Sequence, residues 1–251
     1  MPEQKSGNST KAANRAIDEV VMANRILANE GILDALGHVS LRNPENPNAF
    51  FQARSLSPWE ATRNDILEIN LDGELVAKTS QRPYGERFIH AGILKARPEM
   101  NAVFHGHPAA VVPFSVTGVP IRPVTHVGSF LYQGMPPVYD EYEPGDGMLI
   151  RTKKEGERVA KRLGQYRVQL LRGHGCNIVA ENMKALVASA IYLNVNASIQ
   201  LQALQLGGEV KYLSADEAKL AMEIALFDAL PLDRMWSYWS ARVRRSMPDM
   251  Q

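Results

Sequence analysis

Asn101-Ala102-Val103-Phe104-His105-Gly106-His107-Pro108 is the stretch that decides how this chain is read. An apolar run enters it and a proline leaves it, so Val103 to His105 predicts a buried strand. Alternate residues of a strand point to one face, which brings the imidazoles of His105 and His107 within reach of one ion. A third histidine, His174, sits in a second apolar-then-glycine context, Gln169-Leu170-Leu171-Arg172-Gly173-His174-Gly175. Three imidazoles with open positions beside them are a recurrent protein contribution to a catalytic divalent-metal site. The other reading is of ordinary core or surface histidines, since His-x-His alone is a weak signal. Imidazole suits zinc, iron, cobalt and manganese alike, so the pattern does not select the metal.

Outward from that strand, Glu86 lies in Pro83-Tyr84-Gly85-Glu86-Arg87-Phe88-Ile89-His90, near the start of a helix expected over Gly85 to Arg97. A carboxylate there can ligate the metal or act as an acid/base beside it. It can equally be a helix N-terminal carboxylate favoured by the macrodipole. His90, four residues on, shares its helical face and reads as a packed core histidine or as a partner of the ligands. His126 sits in a Pro/Gly-rich loop with prolines at 120, 123, 136 and 137, either as a fourth active-site imidazole or as a simple loop residue. Cys176, the single cysteine, reads as a small buried residue rather than a ligand, and one cysteine makes no intramolecular disulfide.

The remaining pattern mixes strands and helices throughout. Residues 1–10 are expected as a frayed, disordered tail. Residues 11–30 carry Ile17, Val20, Val21, Ala23, Ile26 and Leu27 near helical spacing, with Gly31 to end the helix. Gly37 to Arg42 and Phe50 to Arg54 read as strands, and Ile66 to Leu71 with Glu74 to Ala77 as a hairpin turning at Asp72-Gly73. Pro108 is placed to open a short helix to Val116. Glu155 to Leu163 reads as a helix, Val168 to Leu171 and Cys176 to Ala180 as strands, and Asn182 as the cap of a long helix to about Leu206. A last helical region starts at Ser214 and Asp216 and breaks near Pro231. This alternation, without a linker or repeat, predicts one α/β domain over residues 11–251 with a C-terminal helical extension.

Composition narrows the function class. The 251 residues are 45% hydrophobic, enough for a substantial core. Net charge is +1, from 28 basic and 27 acidic residues, which gives no support for nucleic-acid or membrane-surface binding. The basic cluster from Arg242 to Arg245 reads as a solvated helix end. No apolar stretch approaches the ~18 residues of a membrane span, and the first ten residues are polar, so a cytoplasmic location without a signal peptide is expected.

Gly37-His38-Val39-Ser40, the Glu86 and His90 pair, His105-Gly106-His107-Pro108 and Arg172-Gly173-His174-Gly175, in this order and spacing, resemble the class II aldolase/adducin family from about residue 15 to 210. The resemblance implies a single α/β/α domain with a central, largely antiparallel sheet. It implies His105, His107 and His174 as ligands of a divalent metal, and Glu86 as the catalytic glutamate that also approaches the metal. It further implies a homotetramer with active sites at subunit interfaces.

The departures from the sugar-phosphate aldolases of that family are equally informative. This chain has His38 where they carry asparagine, Ala53-Arg54-Ser55-Leu56-Ser57-Pro58 where they carry a Thr-x-Ser-Gly loop, and Tyr84-Gly85 where they carry two serines. These are phosphate-gripping positions, and a phosphate needs several convergent donors. Val127 falls where some aldolases have a tyrosine that aids protonation. The pattern resembles instead the branch of non-oxidative decarboxylases acting on hydroxylated aromatic or pyridine dicarboxylates, with a metal-stabilised enolate. In that setting Arg54 is expected to grip a substrate carboxylate, although it can be a plain surface arginine. Ser55 and Ser57 are candidate hydroxyl donors or turn formers, and Tyr132 and Tyr142 are candidate pocket walls or packed residues. Two other readings stand beside this one: an aldolase or epimerase acting on an unphosphorylated hydroxy-keto acid, and a non-catalytic interaction domain like the adducin head. Trp236, Tyr238 and Trp239 in the 214–245 segment are placed either over a neighbour's site or over the chain's own core.

Overall fold

The structure, a computed structural model, describes residues 11–226 and 228–247. The tail expected over residues 1–10 lies outside them. Helix α1 (Lys11–Asn29) leads into β1 (His38–Asn43), β2 (Asn46–Ala53) and β3 (Ile66–Asn70). Then come α2 (Arg87–Ala96), β4 (Ala102–Gly106), α3 (Val112–Val116), β5 (Val138–Tyr139), α4 (Lys153–Leu163), β6 (Val168–Leu171) and β7 (Gly175–Ala180). Helices α5 (Met183–Gln205), α6 (Ala215–Ala221) and α7 (Ala229–Ser246) complete the chain.

The strands form one sheet of seven, in the order β3-β2-β1-β4-β7-β6-β5. Every pairing is antiparallel except β5 with β6. Strand alternation sorts the core into two layers. Val39, Leu41, Phe51, Ala102, Phe104, Cys176 and Ile178 face the side covered by α1, α5 and α7. Phe50, Val103, Leu171 and Val179 face α2 and α4. This is the α/β/α sandwich that the family pattern implies.

Local chemistry explains most boundaries. Asn182 accepts from the amide of Ala185 at the start of α5, and Ser214 forms a reciprocal capping box with Glu217 at α6. Thr152 and Glu155 do the same for α4, two residues before the expected start. Two expectations are corrected. The second arm of the hairpin after β3 shrinks to a single bridge between Ile69 and Leu75. The helix after Pro108 is confined to Val112–Val116, because Pro108 supplies only the turn that precedes it. The last helical region is broken near Pro231 as expected: it restarts at Ala229, with Asp228 at the cap of α7, and Pro231 lies in the first turn, where a missing N–H costs nothing. Strand β5 was not legible, being two residues inside a proline-rich stretch. In α7, Leu232, Trp239 and Val243 are buried in the layer shared with α1 and α5, so this segment covers its own chain's core.

Candidate metal centre and substrate pocket

The face of the sheet under α2 and α4 carries an unusual row of polar residues. His38 on β1 is opposite His105 on β4, and His105 is opposite Asn177 on β7. His38, His105 and Asn177 are all buried. His107 follows one residue past the end of β4. His174 is set by the turn between β6 and β7, where Gly173 takes a left-handed backbone (φ 62°) that a side chain disfavours. The result is one cluster. His105, His107 and His174 each offer a ligand atom, and these atoms lie within 4.8 Å of one another.

Hydrogen bonds aim these rings. His105 Nδ1 is 2.8 Å from Asn177 Oδ1, and His107 Nδ1 is 3.0 Å from Asp34 Oδ2. Both partners are acceptors, so both Nδ1 atoms carry the proton and both Nε2 atoms are left for a ligand. His105 Nε2 is buried and has no hydrogen-bond partner among the described residues. Glu86 stands at the N-terminus of α2. Its Oε1 accepts from the Ile150 amide at 3.0 Å, while its Oε2 lies 3.5 Å from His105 Nε2 and 3.8 Å from His174 Nε2. An orphaned imidazole nitrogen facing a carboxylate, with two more imidazoles alongside, is a donor set that fits a divalent cation.

The titration of these groups agrees. Burial alone would raise the Glu86 pKa, but its contacts with His105, the Ile150 amide and His174 bring it down to about 2. Burial would lower His105, and Glu86 and Asn177 raise it instead. Burial and the neighbouring His105 lower His174 to about 4, so it is neutral and available as a ligand near neutral pH.

The cluster opens into a cavity of about 770 Å³. Its walls include His38, Ser55, Ser57, Tyr84, Arg151 and the apolar Leu36, Leu56, Met148 and Leu149. Tyr84 is held by a hydrogen bond from its hydroxyl to the Leu56 carbonyl, with its ring 4.4 Å from that of His38. Burial pushes the Tyr84 phenol up to about 12, so it stays protonated.

Of the residues singled out in the sequence, Glu86, His105, His107, His174, Ser55 and Ser57 come together here. Others do not. Arg54 pairs its Nε with Asp65 at 2.6 Å and lines a neighbouring cavity with Ser55, Ser80, Gln81 and Arg82, not this one. His126 begins a 3₁₀ turn (His126–Leu131) packed on α5 and α6, and lines a different cavity with Tyr192 and Trp239. Within one chain it is not a fourth imidazole of the cluster. Tyr132 packs against the α1/α5 core and neighbours Arg167. The Tyr142 ring stacks edge-on against Tyr139 with its hydroxyl buried, and burial pushes its pKa up. His90 is fully buried, bonded at 2.7 Å to both His38 and Ser40, as a core histidine.

Three residues were missed. Asp34 and Asn177 orient the imidazoles, and Arg151 is the arginine in the pocket lining; its guanidinium reaches the Asp146 carbonyl at 3.4 Å, with no carboxylate partner among the described residues. A polar residue inside the apolar run Cys176-Asn177-Ile178-Val179 was the available signal for Asn177.

Residues 18–201 match the family model described as Class II Aldolase and Adducin N-terminal domain. The chain belongs to this family. Among curated relatives, it is 36% identical over 196 residues to Decarboxylase tropJ of Talaromyces stipitatus, covering 72% of this chain and 73% of that protein. It is 35% identical over 221 residues to the 3,4-dihydroxyphthalate decarboxylase of Arthrobacter keyseri, covering 82% of this chain and 86% of the relative. Among solved structures, an L-fuculose 1-phosphate aldolase from Glaciozyma antarctica PI12 superposes with a TM-score of 0.78 at 23% identity, over 99% of this chain and 96% of that one. At that identity the structural likeness speaks for the fold alone.

Proposed function

We propose that this class II aldolase family member is a divalent-metal-dependent, non-oxidative decarboxylase of hydroxylated aromatic or pyridine carboxylates. The observation that carries the reading is the His105, His107, His174 and Glu86 cluster at the floor of a cavity with apolar walls and one arginine that has no carboxylate partner among the described residues. Similarity to relatives named decarboxylases supports a carboxy-lyase over an aldehyde-lyase.

The three histidines would hold the ion, with Glu86 beside it, and the ion would supply positive charge next to the electron pair released when the carbon–carbon bond breaks. Leu36, Leu56, Met148 and Leu149 receive the flat ring and exclude water. Arg151 grips a carboxylate that is retained. Glu86, ionised and anchored through Oε1, accepts the proton of the substrate's ortho hydroxyl at Oε2 and returns it to the ring carbon that carries the departing carboxylate. That carbon–hydrogen bond forms as the bond to the carboxylate breaks and carbon dioxide leaves. The oxygen regains a proton from solvent, so one proton is consumed per turnover.

The same reading includes a homotetramer in the cytoplasm. The exposed Leu220, Ile224, Leu230 and Tyr238 of the C-terminal helices support burial against another subunit. Among the described residues no helix is long and apolar enough to cross a membrane.

The test is to load the protein with manganese, zinc, iron or cobalt and supply dihydroxyphthalates and hydroxypyridine dicarboxylates. Carbon dioxide release that stops on chelation is expected. Release of pyruvate or an aldehyde from unphosphorylated hydroxy-keto acids, without decarboxylation, would favour aldol cleavage. Absence of all turnover with metal bound would overturn the enzymatic reading.

A further inference from the structure

The polar row on the α2/α4 face continues past Asn177. Its cross-strand partner on β6 is Gln169, which is fully buried in the middle of an otherwise apolar strand. Gln169 Nε2 donates to the backbone carbonyl of Val159 in α4 at 3.0 Å. A carbonyl can only accept, so the Gln169 amide has one orientation and its Oε1 must face the other way. There it accepts from Asn177 Nδ2 at 2.9 Å. That contact in turn settles the Asn177 amide, whose Oδ1 faces His105 Nδ1 at 2.8 Å. Each step leaves the next group a single choice.

We propose that Gln169 is a positioning residue for the metal centre. Through Asn177 it fixes His105 in the form protonated at Nδ1, with the Nε2 lone pair directed at the ion. The proposal rests on the reading of the histidine cluster as a metal site. Without the Val159 anchor, Asn177 gains a second orientation in which its Nδ2 faces His105. A donor facing Nδ1 favours the tautomer protonated at Nε2, which has no lone pair to offer the ion. The device also ties the metal site to α4, the helix that packs against the Glu86 helix.

The relay makes an asymmetric prediction that a purely structural role does not. A carboxylate has no donor face, so an aspartate at position 177 presents an acceptor to His105 in either orientation. Co²⁺ is the probe, titrated into full-length protein and followed by its visible absorption, with thermal unfolding measured in parallel on the metal-free proteins. Gln169→Met is expected to weaken Co²⁺ binding about 10- to 100-fold, the range typical for lost partners of metal-ligating histidines. Adding Asn177→Asp to Gln169→Met is expected to restore most of that affinity while the lowered melting temperature stays low. Unchanged Co²⁺ affinity in Gln169→Met, or affinity that only tracks melting temperature through the series, would overturn the relay. Should Gln169→Met fail to fold, Gln169→Leu removes the same acceptor from Asn177 with a smaller apolar side chain and is subject to the same aspartate rescue. Wild-type protein that binds no Co²⁺ would overturn the metal reading and the relay with it; wild-type binding with an unaffected variant overturns the relay alone.

Discussion

Replacing Gly92 with alanine puts a methyl group where α2 and α4 touch backbone to backbone. A Cβ built on Gly92 lies 2.4 Å from the Gly156 carbonyl oxygen and 2.5 Å from its carbon. Ordinary contact starts at 3.4 Å, so the helices must part by about 1 Å. Rotation offers no escape, because Gly156 is itself pressed on the Phe88 carbonyl, with a Cβ there at 2.1 Å. Two effects oppose each other in stability. Alanine in a helix interior gains ~1 kcal/mol over glycine, and overpacking costs ~1–3 kcal/mol, so the net is a loss of up to ~2 kcal/mol. The functional effect is larger. Glu86 begins α2 and is bonded to the amide of Ile150, just ahead of α4, so separation of the helices pulls Glu86 against its 3.5 Å contact with His105. A displacement near 1 Å is of the size that lowers turnover by ~100-fold. Urea unfolding gives the stability term, and Co²⁺ titration with turnover gives the site term. A variant that is ~1 kcal/mol more stable, with unchanged Co²⁺ affinity and turnover, would refute the claim that this glycine contact sets the position of Glu86.

The pH dependence of the metal-free protein and the role of Arg151 are equally accessible. Burial and neighbouring imidazoles hold His38 and His90 well below the usual 6.5, and burial with His105 holds His174 at about 4. The unfolded chain therefore takes up these protons first, so their contribution is complete above pH 6.5 and is lost as pH falls below it. With up to three protons involved, the slope approaches ~4 kcal/mol per pH unit towards pH 5. His105, raised by Glu86, acts in the opposite sense: its contribution is present below 6.5 and is lost as pH rises through its folded value. Urea unfolding from pH 8 to 5 reads the sum, and a flat profile below 6.5 would contradict it. Arg151→Met is expected to raise KM about 10- to 100-fold at nearly constant kcat, since a charged hydrogen bond is worth ~1.5–3 kcal/mol and is made before the bond breaks. Arg54→Met, by contrast, is expected to leave KM within about twofold, because Arg54 is engaged with Asp65 in another cavity. Equal effects from the two variants would reverse this assignment.

The amino-acid sequence by itself determined the secondary elements whose cause is local. Asn182 and Ser214 cap their helices with their own side chains, and the short apolar run before His105, ended by Gly106 and Pro108, reads as a buried strand. It also brought out the histidine set, because His105 and His107 are two residues apart and His174 follows a glycine that permits its turn. Partners across the fold were another matter. Arg54 follows a strand and was expected to face substrate, yet Asp65, eleven positions away, captures it. His126 has the right chemistry in a functional-looking loop, yet α5 and α6 hold it over a different cavity. Asp34, Arg151, Asn177 and Gln169 carry no local pattern that names their partners. Only the tertiary structure sets Gln169, Asn177, His105 and His38 in one row across four strands, because strand order and register are properties of the whole sheet. The three histidines are thus written in the sequence, and the bonds that aim them are decided by how the strands align.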